Sequence, residues 1–403
     1  MRATGWRKSA TVVATLLMTV AAHAAEQARP SEAPGELDRS IEARMAEAGL
    51  VGVGAAIIVD RKLVWSKGYG YADKQRAVAF TPDTVMNVGS ISKTVTGVAM
   101  MQAVQDGKLS LDADINDYLP FKVSNPSFPQ APITLRQLAT HTSGITDRWA
   151  VYQRLYHWGG DAPEGLCDFL EGYLVPGGKD YAKENFLPFK PGTHRDYSNI
   201  AAGLAGCIVE RAVGEPLNVV TRRRIFAPLG MDHSGWLLSD IPAAAQSTLY
   251  VEQDGFSIPI PQYGVTTYPD GGVRTSVADL SRFFIAMLDG GQYQGARILD
   301  PSSVAQMLKF QYTLANKPDN VILAEKNSGL FWSTKFNVTR IGHGGSDPGV
   351  RTEMLSNLSK DVAIVVFVNT SLAEEKSKAY VDLVETLWQH AQALKAQAGH
   401  GSR

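Results

Sequence analysis

Apolar, β-branched segments near both ends of the chain are the features that most constrain its fold. Residues 51–59 and 63–71 have the composition of two strands, and the charged residues between them suit a turn. Residues 362–368 read Val-Ala-Ile-Val-Val-Phe-Val, which is typical of a strand buried on both faces. Helical spacing of apolar residues precedes the first strand at 36–49 and follows the last at 377–396. We therefore predict an α/β (α+β) fold, with one antiparallel sheet built from both chain ends and flanked by helices.

The stretch between these ends carries mostly helical and loop signals, rich in glycine and proline. A hydrophobic content of 44% is ample for a large core, which suits either two domains or one domain with a big insertion. We favour the insertion. The predicted division is a discontinuous sheet domain at 25–98 and 271–396, a mostly helical domain at 99–270, and a flexible tail at 397–403.

The first 24 residues have the features of a secretory signal peptide. Arg2, Arg7 and Lys8 form a positive start, residues 9–25 carry no charge, and Ala22-His23-Ala24 offers small residues to a signal peptidase. An uncleaved membrane anchor is the less favoured alternative, because the uncharged stretch is short and contains three threonines. We predict cleavage, an exported protein that is periplasmic or secreted, and no membrane span in the mature chain.

Loss of this signal takes the formal net charge from −1 to about −4, and no basic block follows downstream. Nucleic acids and anionic membranes are therefore not expected as partners, while the sequence leaves the oligomeric state open. Cys167 and Cys207 are the two cysteines. In an oxidising compartment they either form a disulfide that closes a loop of about 40 residues, or remain two buried thiols. The sequence does not decide between these alternatives.

Ser90 and Lys93 are the candidate nucleophile and its partner. One Ser-x-x-Lys is expected by chance about once in a chain of this length. The helical pattern at 94–106 places Ser90 at or just inside a helix N-terminus, with Lys93 projecting beside it. Taken alone, a helix-capping serine with a solvated lysine would be the better interpretation. A lysine ammonium is also a poor base, so a third group has to share the proton transfer.

Two later segments supply such groups. Tyr197-x-Asn199 follows a turn and precedes the helix-like residues 200–211. His343-Gly344-Gly345-Ser346 lies in a glycine-rich run that can leave backbone N–H groups bare for an oxyanion.

In this order, Ser90-x-x-Lys93, Tyr197-x-Asn199 and His343-Gly344-Gly345 resemble the three active-site motifs of the serine β-lactamase and penicillin-binding-protein superfamily, specifically its class C-like branch. Further segments that match this branch span nearly the whole mature chain: 135–145, 228–231, 271–280 and 328–332. The resemblance implies a sheet-and-helix domain from both chain ends, a mostly helical insertion, and an active site at their junction.

The resemblance also implies a role for each residue. Ser90 attacks a carbonyl carbon, Lys93 helps to deprotonate it, and Tyr197 acts as general base and then protonates the leaving group. Asn199 orients Lys93 and the substrate, and the backbone N–H groups of Ser90 and Ser346 form the oxyanion hole. The expected product is an acyl-enzyme, which water hydrolyses in a second step.

His343 departs from the pattern of true class C β-lactamases, in which the third motif begins with lysine. A histidine is mostly neutral at pH 7 and grips a substrate carboxylate less well than lysine does. We therefore expect a small ester, amide, β-lactam or D-amino-acid peptide as substrate, with an esterase or D-peptidase favoured over a dedicated β-lactamase. The alternative is a penicillin-binding or sensor protein with the same fold and little turnover.

Other conspicuous residues receive structural interpretations. Trp149, Tyr152 and Tyr156 are predicted to pack in a core rather than to line an acyl pocket. His141 is predicted to be a structural hydrogen-bonding residue. No His-Glu-x-x-His pattern or cysteine cluster occurs, so we expect neither a metal nor another cofactor. The absence of Gly-x-Ser-x-Gly argues against an α/β-hydrolase.

Overall fold

The structure is a computed structural model and describes residues 35–400. The predicted signal peptide, residues 1–24, lies outside the described residues. The α-helices of the described chain are, in order, α1 (Glu36–Ala48), α2 (Ser92–Gln105), α3 (Leu135–Ala139), α4 (Trp149–Tyr152), α5 (Leu166–Leu174), α6 (Asn199–Val213), α7 (Leu217–Thr221), α8 (Val277–Leu288), α9 (Pro301–Leu308) and α10 (Ser377–His400).

The strands are, in order, β1 (Gly52–Val59), β2 (Lys62–Asp73), β3 (Val78–Ala79), β4 (Met86–Asn87), β5 (Tyr156–Trp158), β6 (Leu249–Gln253), β7 (Phe256–Ile260), β8 (Tyr263–Val265), β9 (Arg274–Thr275), β10 (Gln292–Tyr293), β11 (Ala296–Arg297), β12 (Ser333–Lys335), β13 (Arg340–Asp347), β14 (Val350–Asn357), β15 (Val362–Val368) and β16 (Thr370–Ser371).

Strands from both chain ends form one antiparallel sheet in the order β12-β13-β14-β15-β1-β2-β3. The pairing of β1 with β15 joins the ends directly, with Val53 opposite Val368 and Val59 opposite Val362. Every residue of β1 and β15 is buried, because helices cover both faces of the sheet. The predicted fold class is confirmed.

The two faces of the sheet pack against different helices. Successive strand residues point to opposite sides, so Val53 and Ile57 of β1 pack with α1 and α10, while Ala56 and Ile58 face the opposite core. That second core continues without interruption into the helical part of the chain, where it includes Leu204 of α6. The helices that carry the candidate site therefore share one apolar core with the sheet.

The structure differs from the sequence-based boundaries in two places. Residues 99–270 are mostly helix and loop, but they also contain the hairpin β6–β7, whose turn residues Asp254 and Gly255 both have positive φ, as Asp-Gly turns favour. Helix α10 continues to His400, so residues 397–400 are helical rather than part of the predicted tail, whose residues 401–403 lie outside the described residues. Alanine, lysine and glutamine dominate this last stretch and are strong helix formers.

Cys167 of α5 and Cys207 of α6 form a disulfide, with their Cα atoms 5.5 Å apart. Of the two alternatives that the sequence leaves open, the disulfide is therefore correct. It joins two helices of the inserted segment, and one of them, α6, begins at Asn199. Within residues 35–400, no helix combines the length and the apolar character that a membrane span needs.

Candidate active site

Ser90 lies in a single 3₁₀ turn, Gly89–Ile91, which leads directly into α2. The helix starts at Ser92, two residues before the predicted start, so Ser90 stands just outside its first turn. Lys93 is fully buried, and its Nζ lies 3.0 Å from Ser90 Oγ. Because Lys93 is not solvated, the interpretation of this pair as a capping serine with a solvent-exposed lysine is wrong.

All three N–H groups of Lys93 Nζ donate to acceptors in the site. Besides Ser90 Oγ, its Nζ donates to Asn199 Oδ1 at 2.7 Å and to the Asp270 carbonyl at 2.8 Å. It also lies 5.0 Å from the centre of the Tyr197 ring. Burial favours the neutral amine, but attraction to Tyr197 and Asp270 outweighs burial and raises the pKa of Lys93. The side chain is therefore an ammonium that is fully hydrogen-bonded.

Two glycines allow β13 to approach the Ser90 turn. A Cβ on Gly345 would stand 2.1 Å from the Val88 carbonyl oxygen, and a Cβ on Gly89 would stand 2.8 Å from Asp347 Oδ2 and 3.2 Å from Ser346 N. Gly89 also has φ +54°, a left-handed conformation that suits glycine. The glycines therefore bring the backbone around Ser90 and that around Ser346 into contact, as an oxyanion hole shared by the two segments requires.

The Tyr197-x-Asn199 motif is held by the N-terminus of α6. Asp147 Oδ1 accepts hydrogen bonds from Ser198 Oγ at 2.8 Å and from the Ile200 N–H at 3.0 Å, and its Oδ2 accepts from the Asn199 N–H at 2.8 Å. A carboxylate at this place also suits the positive end of the helix. Sequence reasoning missed Asp147, because it lies about fifty residues before the helix that it caps and nothing in its neighbours points to that helix.

His141 supports Tyr197 from behind. Its Nδ1 accepts a hydrogen bond from the Ser198 N–H at 3.3 Å, and its ring lies 4.3 Å from the Tyr197 ring. Burial lowers the pKa of His141 well below its ordinary value, so the ring is neutral. The prediction of a structural hydrogen-bonding role is confirmed.

His343 is buried in the wall of the site. Burial, together with the positive charge of Lys93, lowers its pKa to about 3. Its Nδ1 lies 2.7 Å from the Gly344 carbonyl oxygen, which can only accept, so Nδ1 carries the proton and Nε2 is left as an acceptor. His343 therefore brings no positive charge to the site at neutral pH.

Aromatic and acidic side chains also line the site. Tyr152 donates to Asp270 Oδ1 at 2.9 Å, and Tyr156 donates to the Asp347 carboxylate. Burial raises the pKa of Asp270 to about 7 and that of Asp347 to about 6. Trp149 stacks on Tyr152 but is 64% exposed. All three aromatic residues line the cavity, so the prediction that they pack in a core instead of lining a pocket is wrong for Trp149 and Tyr156. Tyr152 is buried in the core as predicted, and its side chain also reaches the site.

Neither acid was singled out from the sequence. Asp270 stands in a Pro-Asp-Gly-Gly run that indicates a turn, and Asp347 directly follows Ser346 of the third motif. Only the fold shows that both carboxyl groups face the nucleophile region, with Asp270 Oδ1 4.0 Å from Lys93 Nζ.

These side chains line a cavity of about 470 Å³ that is open to solvent. The cavity is lined by every predicted site residue except Lys93, which lies behind Ser90: Ser90, Tyr197, Asn199, His343, Gly344, Gly345 and Ser346. In residues 35–400, no three His, Cys, Asp or Glu side chains gather in a way that suits a metal ion.

Comparison with known proteins adds a family and a set of relatives. The beta-lactamase family model matches residues 37–386. Protein flp of Staphylococcus aureus (strain N315) is 24% identical over 344 residues, which cover 83% of this chain and 62% of flp. Esterase EstB of Burkholderia gladioli is 28% identical over 247 residues, which cover 56% of this chain and 59% of EstB. The chain therefore spans less than two thirds of the length of these curated relatives.

A solved structure shares the fold of this chain. The octameric penicillin-binding protein homologue from Pyrococcus abyssi superposes with a TM-score of 0.67 and 26% sequence identity. The match covers 84% of this chain and 73% of that chain. The family model and this solved structure therefore both relate the chain to β-lactamases and penicillin-binding proteins.

Proposed function

Because the chain belongs to the β-lactamase family, a group of serine hydrolases that includes esterases, amidases and β-lactamases, we propose that it is an exported hydrolase that forms an acyl-enzyme at Ser90. The substrate is a small ester, amide, β-lactam or D-amino-acid peptide. Esters and D-peptides are favoured over β-lactams.

The observation that carries this proposal is the hydrogen-bonding of Lys93. Its ammonium donates to Ser90 Oγ and to Asn199 Oδ1 and lies next to the Tyr197 ring, so residues from two distant motifs converge on one ammonium group beside the Ser90 hydroxyl. An ammonium stabilises the alkoxide that forms when Ser90 loses its proton. A protein that only bound its ligand would have no need of this arrangement.

The proposed reaction has two steps. Tyr197, as phenolate beside the Lys93 ammonium or through a shared proton, accepts the Ser90 proton while Oγ attacks the carbonyl carbon. The N–H groups of Ser90 and Ser346 stabilise the oxyanion, and Tyr197 passes its proton to the leaving group as the scissile bond breaks. Water then attacks the acyl-enzyme and gives a proton to Tyr197, which passes it to Ser90 Oγ as the acyl bond breaks, so that the acid and a free Ser90 hydroxyl are released.

The neutral state of His343 supports the preference among substrates. With a pKa of about 3 and a proton fixed on Nδ1, its ring offers the substrate an uncharged acceptor at Nε2. A permanent cation at this place would suit the carboxylate of an antibiotic β-lactam better. Export is supported by the Cys167–Cys207 disulfide, since disulfides persist in oxidising compartments.

The test compares p-nitrophenyl butyrate, nitrocefin and a D-alanyl peptide as substrates for the wild-type protein, Ser90→Ala and the matched control Ser302→Ala. Ser302 is an exposed serine at the start of α9, outside the cavity. We expect turnover of at least the ester, loss of it in Ser90→Ala alone, and a mass increase on Ser90 during turnover. Activity that survives in Ser90→Ala removes Ser90 from the mechanism. Acylation without turnover on any substrate supports the alternative of a penicillin-binding or sensor protein.

A further inference from the structure

Two carboxyl groups and three aromatic rings form one connected group in the cavity. The acids are Asp270, from the turn before β9, and Asp347, at the end of β13, and the rings are those of Trp149, Tyr152 and Tyr156. Each of the two tyrosines donates its hydroxyl group to one of the two acids, and Trp149 stacks on Tyr152. The proposed reaction uses none of these five side chains.

The two acids lack partners for their charge. Asp270 Oδ2 is buried and has no hydrogen-bond partner among residues 35–400. No Lys, Arg or His nitrogen of these residues lies within 4.0 Å of the Asp347 carboxylate, and Lys93 and Arg274 attract it only from further away. Burial, and in addition the nearby charge of Asp347, raises the pKa of Asp270. The two carboxyl groups are therefore close enough to repel each other, and a bound cation relieves that repulsion.

Asp347 lies beside the turn that carries the nucleophile. A Cβ on Gly89 would stand 2.8 Å from Asp347 Oδ2, and a Cβ on Gly271 would stand 3.6 Å from the same atom. The preceding residue, Ser346, supplies an N–H group to the proposed oxyanion hole. An acyl group on Ser90 with its oxygen in that hole therefore has its carbon chain near Asp347. A carboxylate at this place opposes the oxyanion unless the substrate brings a positive charge.

We infer that Asp347 and Asp270 form a subsite for an ammonium group on the acyl part of the substrate, close to the reacting carbonyl. The inference rests on the proposed function, because it takes Ser90 to carry the acyl group. The ammonium donates to the Asp347 carboxylate and to the unpartnered Oδ2 of Asp270. The faces of the Trp149 and Tyr156 rings attract the same charge. The substrates are then esters or amides of short amino acids whose amino group is free.

Two pairs of p-nitrophenyl esters test the subsite. The glycinate is compared with the propionate, and the 3-aminopropanoate with the butyrate, so that an ammonium replaces a methyl group on the α-carbon or the β-carbon. An ammonium also activates the carbonyl chemically, so the quantity of interest is the change in the ammonium-to-methyl ratio of kcat/KM between the wild-type protein and each variant. At pH 6.5, where the substrate amines are protonated, Asp347→Asn and Asp270→Asn should each lower this ratio about tenfold in at least one pair, as loss of a charged hydrogen bond does.

Asp196→Asn is the matched control. Asp196 lies on the turn before α6 and accepts a hydrogen bond from Thr146, but it does not line the cavity, so its replacement should leave both ratios unchanged. Trp149→Leu should lower the ratio only two- to fivefold, since an exposed cation–π contact is weaker than a charged hydrogen bond. If the wild-type protein cleaves all four esters and neither Asp347→Asn nor Asp270→Asn alters a ratio, the subsite is refuted while the hydrolase proposal stands.

A binding measurement separates the two proposals further. Calorimetric titration of Ser90→Ala with the anilides of the same four acids needs no turnover and measures the subsite directly. Tighter binding of either amine than of its methyl counterpart, lost in Ser90→Ala/Asp347→Asn, supports the subsite even if the wild-type protein hydrolyses nothing. Equal binding within both pairs overturns it. Circular dichroism shows that each variant is folded, and Asp270→Asn decides the result if Asp347→Asn is not.

Discussion

Reduction of the Cys167–Cys207 disulfide should lower the free energy of unfolding by about 4 kcal/mol, because its loop of about 40 residues restricts the unfolded chain. The two cysteines are separated by 40 positions and join α5 to α6. The loss is a large share of the 5–15 kcal/mol that typically stabilises a folded domain. The site itself should persist below the transition, since Asn199 is also held by Asp147.

Urea unfolding of the oxidised protein and of the protein in reductant measures this difference, with esterase activity followed along the same titration. The reduced protein should unfold at lower urea and with a steeper dependence, because its unfolded state is more expanded. Cys167→Ala/Cys207→Ala is the control, since reductant has nothing to break in it. If the oxidised and reduced proteins share one midpoint and one slope, the loop-entropy reasoning is refuted.

Three further changes test the site. Tyr197→Phe removes the phenolic oxygen but keeps the ring beside His141, so kcat on p-nitrophenyl butyrate should fall about 10² to 10⁴-fold while circular dichroism is unchanged; a fall of less than tenfold would exclude Tyr197 as the base. His343→Lys introduces a cation where the wild-type residue is neutral, and should raise acylation by nitrocefin relative to p-nitrophenyl butyrate; an unchanged ratio of the two rates would contradict the carboxylate argument. The pKa of Asp270 is raised to about 7 by burial. Between about pH 4 and pH 7, Asp270 therefore holds a proton in the native state that it has already released in the unfolded state. Its contribution to the free energy of unfolding falls as the pH rises through this range. The free energy of unfolding, measured in urea at pH 4.5 and at pH 6.5, should therefore fall less between the two pH values in Asp270→Asn than in the wild-type protein, by about 1.4 kcal/mol per pH unit at most. Equal falls would show that Asp270 is ionised throughout this range.

The sheet and the contact between Ser90 and Lys93 could be predicted because the sequence patterns that indicate them are local. A run such as residues 362–368 has no polar position to expose and must be buried on both faces, which the structure confirms for β15. Ser90 and Lys93 are one helical turn apart, so their contact follows from helix geometry alone. Tyr197 and Asn199 were recognised through their order relative to that pair, which the family resemblance supplied.

The residues that surround the motifs could not be predicted in this way. Asp147 caps a helix that begins about fifty residues later, and Asp270 reaches Lys93 from a segment that reads only as a turn. Arg195 and Lys326 both line the cavity, which neither local sequence indicates, because the cavity forms only when separate loops pack together. Periodicity reports which side of an element is buried, but it carries no information on which loops meet.

The pairing of β1 with β15 has a consequence for the growing chain. A ribosome completes Ser90 and its turn early, but the strand that closes the open side of β1 and the strand that carries His343 and Ser346 emerge near the end of synthesis. Until then β1 presents an unpaired apolar edge, which is a site for aggregation. A polypeptide that terminates before residue 362 should therefore lose solubility, and the proposed active site becomes complete only as the last strands join the sheet.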